Sequence, residues 1–158
     1  MATMCHGPRQ GKEAADASAA CVAPPGRSRP NTILLVEDLD VCRITTKWFL
    51  ANFGYYVVPT RSAAEALRLF VPEIHDVVVT DNDMPGLSGV ELAHIIKLRS
   101  PATPVIMYTD QPPADRSCLD RVIEKQCHLL RLKEAIDEVV ATRRPVAGIR
   151  PASSVNRL

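Results

Sequence analysis

Six residues in this chain are of types that could handle a phosphoryl group together. Glu37 and Asp38 close the apolar run "ILLVED", Asp81 closes "VVVTD" with Asp83 two residues later, Thr109 closes "VIMYT" and Lys125 closes "RVIEK". Acids gathered at neighbouring strand ends would repel one another and raise at least one pKa. A hard divalent cation removes that conflict, and Mg²⁺ commonly takes one or two carboxylates together with waters and phosphate oxygens. A hydroxyl and a lysine complete a set suited to an aspartyl phosphate. Asp81 is the expected nucleophile, and Thr109 and Lys125 would supply the positioning and charge neutralisation that dominate phosphoryl transfer.

The elements that must carry these residues are legible in the hydrophobic pattern. The runs 32–38, 55–59, 76–81, 104–110 and 121–125 are short and β-branched, and they do not alternate with polar residues. That pattern predicts strands buried on both faces, hence a parallel sheet. Helical patterns lie between them. Val41, Ile44, Trp48 and Phe49 mark one face of the first, with Gly54 where a C-terminal cap would stand. Ser62 with Glu65, and Ser88 with Glu91, have the spacing of capping boxes that open the second and third helices. Leu132, Ile136, Val139 and Val140 share a face of the last, over 129–140. Pro112 and Pro113 crowd the fourth connection, where a helix of about two turns from Pro113 fits, below the usual mean length. The order predicts an α/β fold, a doubly wound five-stranded parallel sheet with helices on both faces, right-handed crossovers, and a fourth helix that is short or irregular. Ligands of such sheets collect at the C-terminal strand ends, where the six residues lie.

Composition narrows the function. The chain has 158 residues and a formal net charge of +1, a size for one domain with some tail. Residues 32–142 form the expected domain; they hold 11 Lys and Arg against 16 Asp and Glu, a charge of −5, which argues against a basic nucleic-acid-binding core. Residues 1–31, with four prolines and three glycines, are expected to be a disordered leader, and residues 143–158 a basic flexible tail. No apolar run approaches the length of a membrane span. Five cysteines without a Cys-x-x-Cys pair suggest neither a disulfide framework nor a zinc site. A cytoplasmic protein with reduced thiols, each small and incidental, is expected.

The segment "VVVTDNDMPGLSGVEL" (77–92), with Asp81, Met84, Pro85 and Gly89, resembles the phosphoacceptor segment of response-regulator receiver domains of two-component signalling. "ILLVED", "PVIMYT" and Lys125 are similar to the family's acidic pair, switch hydroxyl and lysine, so the resemblance runs over about 32–140. It implies strand order 2-1-3-4-5 and a phosphoryl group passed to Asp81 from a sensor histidine kinase or a phosphotransfer protein. It also implies Mg²⁺ held by Asp38, Asp81 and the backbone carbonyl of Asp83, with Glu37 assisting through water. A stand-alone receiver is expected, with no nucleic-acid-binding domain and an unknown downstream protein.

The chain departs from the family pattern at Asp110, where a small residue is usual, at Gln126, where proline is usual, and at Val122, where an aromatic is usual. The departures at Asp110 and Gln126 motivate one alternative, a receiver that binds partners without being phosphorylated. A second comes from "DND" at 81–83, which also resembles the nucleophile motif of haloacid-dehalogenase-type phosphatases.

Overall fold

In the computed structural model, residues 29–143 are described, and strands and helices alternate until the last strand. The strands are β1 (Thr32–Val36), β2 (Tyr56–Thr60), β3 (Val77–Thr80), β4 (Val105–Thr109) and β5 (Arg121–Glu124). The helices are α1 (Asp40–Asn52), α2 (Ala63–Leu69), α3 (Gly89–Arg99) and α4 (Leu129–Arg143). The sheet is wholly parallel, as the run pattern predicts, and its order β2-β1-β3-β4-β5 is the one the resemblance implies.

Side chains on a strand alternate between its faces, and here the alternation feeds two separate cores. Ile33, Leu35, Val77, Val79, Ile106 and Tyr108 meet α1 and α4 residues such as Leu50, Leu132 and Ile136 on one face. Leu34, Val36, Val78 and Val105 meet Ala63, Ala66, Leu92 and Ile96 of α2 and α3 on the other. Strands β1, β3 and β4 are therefore buried throughout, which is why they read as unbroken apolar runs.

Local signals set the helix ends. Ser88 and Glu91 complete a full capping box at α3. At α2, Ser62 Oγ accepts from Glu65 N at 3.2 Å, but the Glu65 carboxylate reaches back to Arg61 N rather than to the N-cap amide. Gly54 follows α1 with φ 83°, and its amide bonds Ala51 O; a positive φ favours glycine there.

Two expectations are corrected. The face of α1 marked by Val41, Ile44 and Trp48 does not enter the core: these residues are 77%, 62% and 73% exposed, while Thr46 and Leu50 point inward and Phe49 packs at the margin. Periodicity defines a stripe, but docking on the sheet decides which stripe turns inward. The two-turn helix from Pro113 does not form, and 110–120 is an irregular connection of bends and turns. Two consecutive prolines lack amide donors, and the second biases its predecessor away from helical backbone. The residues left before β5 are too few for two turns and a return.

Arg29, the first described residue, bonds the Asp76 carboxylate and Ile74 O through its guanidinium. Arg143, the last, donates to Pro72 O, His75 O and Asp76 O in the same connection between α2 and β3. The rest of the expected leader and tail lies outside the described residues. No helix among the described residues is long and apolar enough to cross a membrane.

Candidate functional site

Strand order reverses between β1 and β3, because the chain leaves β1 for β2 on one side and returns on the other. The crevice beyond their C-terminal ends is the natural ligand position of such a sheet. Glu37 and Asp38 emerge from β1 and Asp81 from β3, each in a backbone tied to its neighbour: Glu37 N donates to Thr60 O and Asp81 N to Val36 O, both at 3.0 Å. One ligand oxygen from each of the three carboxylates lies within 4.8 Å of the others. Glu37 and Asp81 are buried and Asp38 is half-buried.

Lys125 enters this crevice from just beyond β5. Its Nζ is 2.7 Å from Asp81 Oδ2 and 2.8 Å from Glu37 Oε2. Burial alone would lower the lysine's pKa, but hydrogen bonds and charge from Asp81 and Glu37 outweigh it, and the net shift is upward. Burial pushes Glu37 upward as well, against the lowering effect of Lys125. No peptide bond among the described residues is cis, so the lysine reaches both acids with a trans bond to Gln126.

The second oxygen of Asp81 is also held, since Asn82 N donates to Oδ1 at 2.6 Å. Thr109 ends β4 fully buried. Its carbonyl accepts from Lys125 N at 3.0 Å and its Oγ1 from Gln111 N at 3.3 Å, which leaves the hydroxyl proton to donate. Asp83 is exposed and its carboxylate is not one of the three in the cluster.

Two contributors escaped the sequence reading. Arg43, one turn into α1, donates to Glu37 O at 2.8 Å and Asp38 O at 3.0 Å and pairs with Asp40, which fixes the turn carrying the two acids. Gly89 makes the close approach that brings α3 against the site: a Cβ there would fall 2.0 Å from Asp81 O. Its place in the resembling segment was visible, but the contact was not. Arg43 gave no local motif.

The donor set fits a hard cation. Three carboxylates converge against one lysine, and Glu37 Oε1 is buried without a hydrogen-bond partner, a cost that a coordinated ion or its water shell removes. Asp38 and Asp81 would hold Mg²⁺, with Glu37 assisting through water.

Sheet order and pocket together define a flavodoxin-like α/β module with an acidic, lysine-braced crevice at its switch point. The model of the response regulator receiver domain matches residues 33–137. A cyclic di-GMP phosphodiesterase of Thermotoga maritima is 33% identical over 110 residues, covering 65% of this chain and 29% of its own length. The sensor histidine kinase AruS of Pseudomonas aeruginosa is 30% identical over 138 residues, 80% of this chain and 14% of its own. The chain thus spans less than a third of either relative. The response regulator TrrA of T. maritima, solved in complex with Mg²⁺-BeF, superposes with a TM-score of 0.65 at 27% identity over 69% of this chain and 98% of that one. This chain belongs to the response regulator receiver domain family and is a receiver domain of two-component signalling.

Proposed function

We propose that Asp81 accepts a phosphoryl group from the phosphohistidine of a sensor histidine kinase or phosphotransfer protein, and that the chain then signals through a downstream protein or a phosphorelay. The observation that carries this reading is the single lysine bridging Asp81 and Glu37 inside a three-carboxylate crevice. An Asp81 oxygen attacks phosphorus as the bond to the donor imidazole breaks. Lys125 would follow the new phosphoryl oxygens, Thr109 would donate its hydroxyl, and the Asn82 amide would bind the carboxylate or the phosphoryl group. Mg²⁺ bound by Asp38, Asp81 and the Asp83 carbonyl, with Glu37 assisting, would neutralise charge that builds up during transfer.

A protein donor suits the surface beside the crevice. Helix α1 begins two residues beyond Asp38, and Leu39, Val41, Ile44 and Trp48 are exposed apolar residues along it. The likeness to a sensor histidine kinase supports the same setting. The reading is of a phosphoacceptor working in the cytoplasm within a domain at about 32–142, and not of a turnover enzyme.

Incubation with Mg²⁺ and acetyl phosphate or phosphoramidate tests it by intact mass. One phosphoryl group gained by the wild type and none by Asp81→Asn is the expected result. No gain in the wild type, or an equal gain in the variant, overturns the mechanism and favours a phosphorylation-independent binding module. Exposed Asp110, directly after Thr109, would then account for exclusion of the anionic donor. Sustained Asp81-dependent hydrolysis of small phosphoesters would favour the phosphatase instead.

A further inference from the structure

The irregular connection 110–120 lies against α3, and two side chains of that helix fasten it there. Lys97 Nζ pairs with Asp120 Oδ2 at 2.7 Å. One turn earlier, His94 touches the connection through both ring nitrogens: Nε2 is 3.0 Å from Asp115 Oδ2 and Nδ1 is 3.0 Å from Cys118 Sγ. Asp115 is itself anchored, since its Oδ1 accepts from Ser117 N at 2.9 Å.

The bonding order assigns protons. Backbone and side-chain hydrogen bonds from Ser117, then the one from His94, hold the Asp115 carboxyl down at about 2, so it is an acceptor only at neutral pH. His94 Nε2 must therefore carry the hydrogen, and in the neutral ring Nδ1 presents its lone pair to the thiol. Transfer of the thiol proton to Nδ1 yields a thiolate beside an imidazolium whose two N–H groups both have partners. A base next to the nucleophile, itself oriented by a carboxylate, is the general arrangement that activates a weak nucleophile. Cys118 is half-buried against the α2–α3 core, while the His94 side chain is 43% and the Asp115 side chain 53% exposed. The sulfur is thus backed by apolar residues and approached from solvent.

We propose that Cys118, His94 and Asp115 form a thiol-activating relay and that Cys118 is a covalent modification site for small electrophiles, hydroperoxides foremost. The thiolate sulfur attacks one peroxide oxygen, an S–O bond forms and the O–O bond breaks. Sulfur is oxidised by two electrons, the peroxide is reduced, and the leaving hydroxide, or alkoxide from an organic hydroperoxide, takes the proton held on His94 to become water or alcohol. The product is a sulfenic acid at Cys118. This site shares no residue with the Asp81 crevice, and the proposal stands whatever the outcome of phosphorylation assays.

The test is competitive alkylation of the full chain with limiting iodoacetamide, followed by peptide mapping. Exposed Cys127 serves as the internal standard. If exposure alone ruled, Cys127 would react faster than half-buried Cys118. With the relay, Cys118 is alkylated about tenfold faster near neutral pH. His94→Gln removes the lead and leaves the Cys127 rate unchanged, and an unchanged circular dichroism spectrum and thermal midpoint report an intact fold. Asp115→Asn, which frees the ring from its orienting carboxylate, lowers the Cys118 rate and leaves the Cys127 rate unchanged. Dimedone trapping during peroxide treatment places the first adduct on Cys118. A wild-type Cys118 no faster than Cys127, or a His94→Gln chain that keeps the lead, overturns the proposal.

Discussion

Lys125 Nζ lies 2.7 Å from Asp81 Oδ2 and, at 2.8 Å from Glu37 Oε2, shares its one charge between two buried acids. Desolvation already pushes Glu37 upward, and the lysine opposes that shift. Removing one partner of a buried ion pair leaves an uncompensated charge. Lys125→Ala should therefore cost about 3 kcal/mol in urea unfolding without metal, and added Mg²⁺ should restore part of it. The lysine's raised pKa carries the complementary sign. Its contribution is complete below the ordinary lysine value and is lost as pH rises through the elevated one. Wild type and variant should converge in stability at strongly alkaline pH.

Gly89→Ala tests the approach of α3 to the site. The new Cβ would meet the backbone carbonyl of Asp81, which cannot swing aside as a side chain could. Overpacking of this kind costs about 1–3 kcal/mol. The shift should appear both as a lower thermal midpoint and as slower acetyl-phosphate labelling of Asp81.

His75 should govern part of the acid limb of stability. It is buried, stacks on Phe70 and bonds the Val71 backbone. Burial holds its pKa below the usual imidazole value; the Val71 bond and Asp76 oppose the shift, and Arg29 adds to it. The unfolded chain consequently binds a proton first. Stability is complete above the ordinary histidine pKa and declines as pH falls towards the depressed folded value. Urea midpoints measured across that window should slope in the wild type, and should flatten in His75→Gln.

The outward residues of α1 offer a separation of folding from transfer. Ile44→Ser and Trp48→Ala remove exposed side chains, so stability should stay within about 0.5 kcal/mol of wild type. Labelling by acetyl phosphate should be unchanged, while transfer from a phosphohistidine protein slows. Trp48 is the chain's single tryptophan, so its emission should shift to shorter wavelength when such a donor docks and covers it.

The sheet and the crevice were readable because strands buried on both faces write themselves as continuous apolar runs, and the chemistry sits one residue past their ends. Glu37, Asp38, Asp81 and Lys125 meet as their positions in that order demand. The inward face of α1 was not readable. Thr46 and Leu50 are buried in place of Val41, Ile44 and Trp48, because helix rotation on the sheet is a tertiary property. The cluster of His94, Asp115 and Cys118 was equally hidden. Its members are spread over a helix and a loop whose path depends on Pro112 and Pro113, and no local spacing joins them.

The missing helix between β4 and β5 has a consequence for how the molecule comes apart. Two helices cover each face, but β5 is an outer strand of four residues, none of them fully buried. Segments with few buried apolar contacts open at lower free energy than the core. The cation that braces the crevice is thus carried just beyond the most weakly protected strand, and a local excursion of β5 withdraws Lys125 while β1, β3 and β4 stay paired. Amide hydrogens of 121–125 should exchange well before those of 33–36 and 77–80, and ligands held in the crevice should slow them selectively.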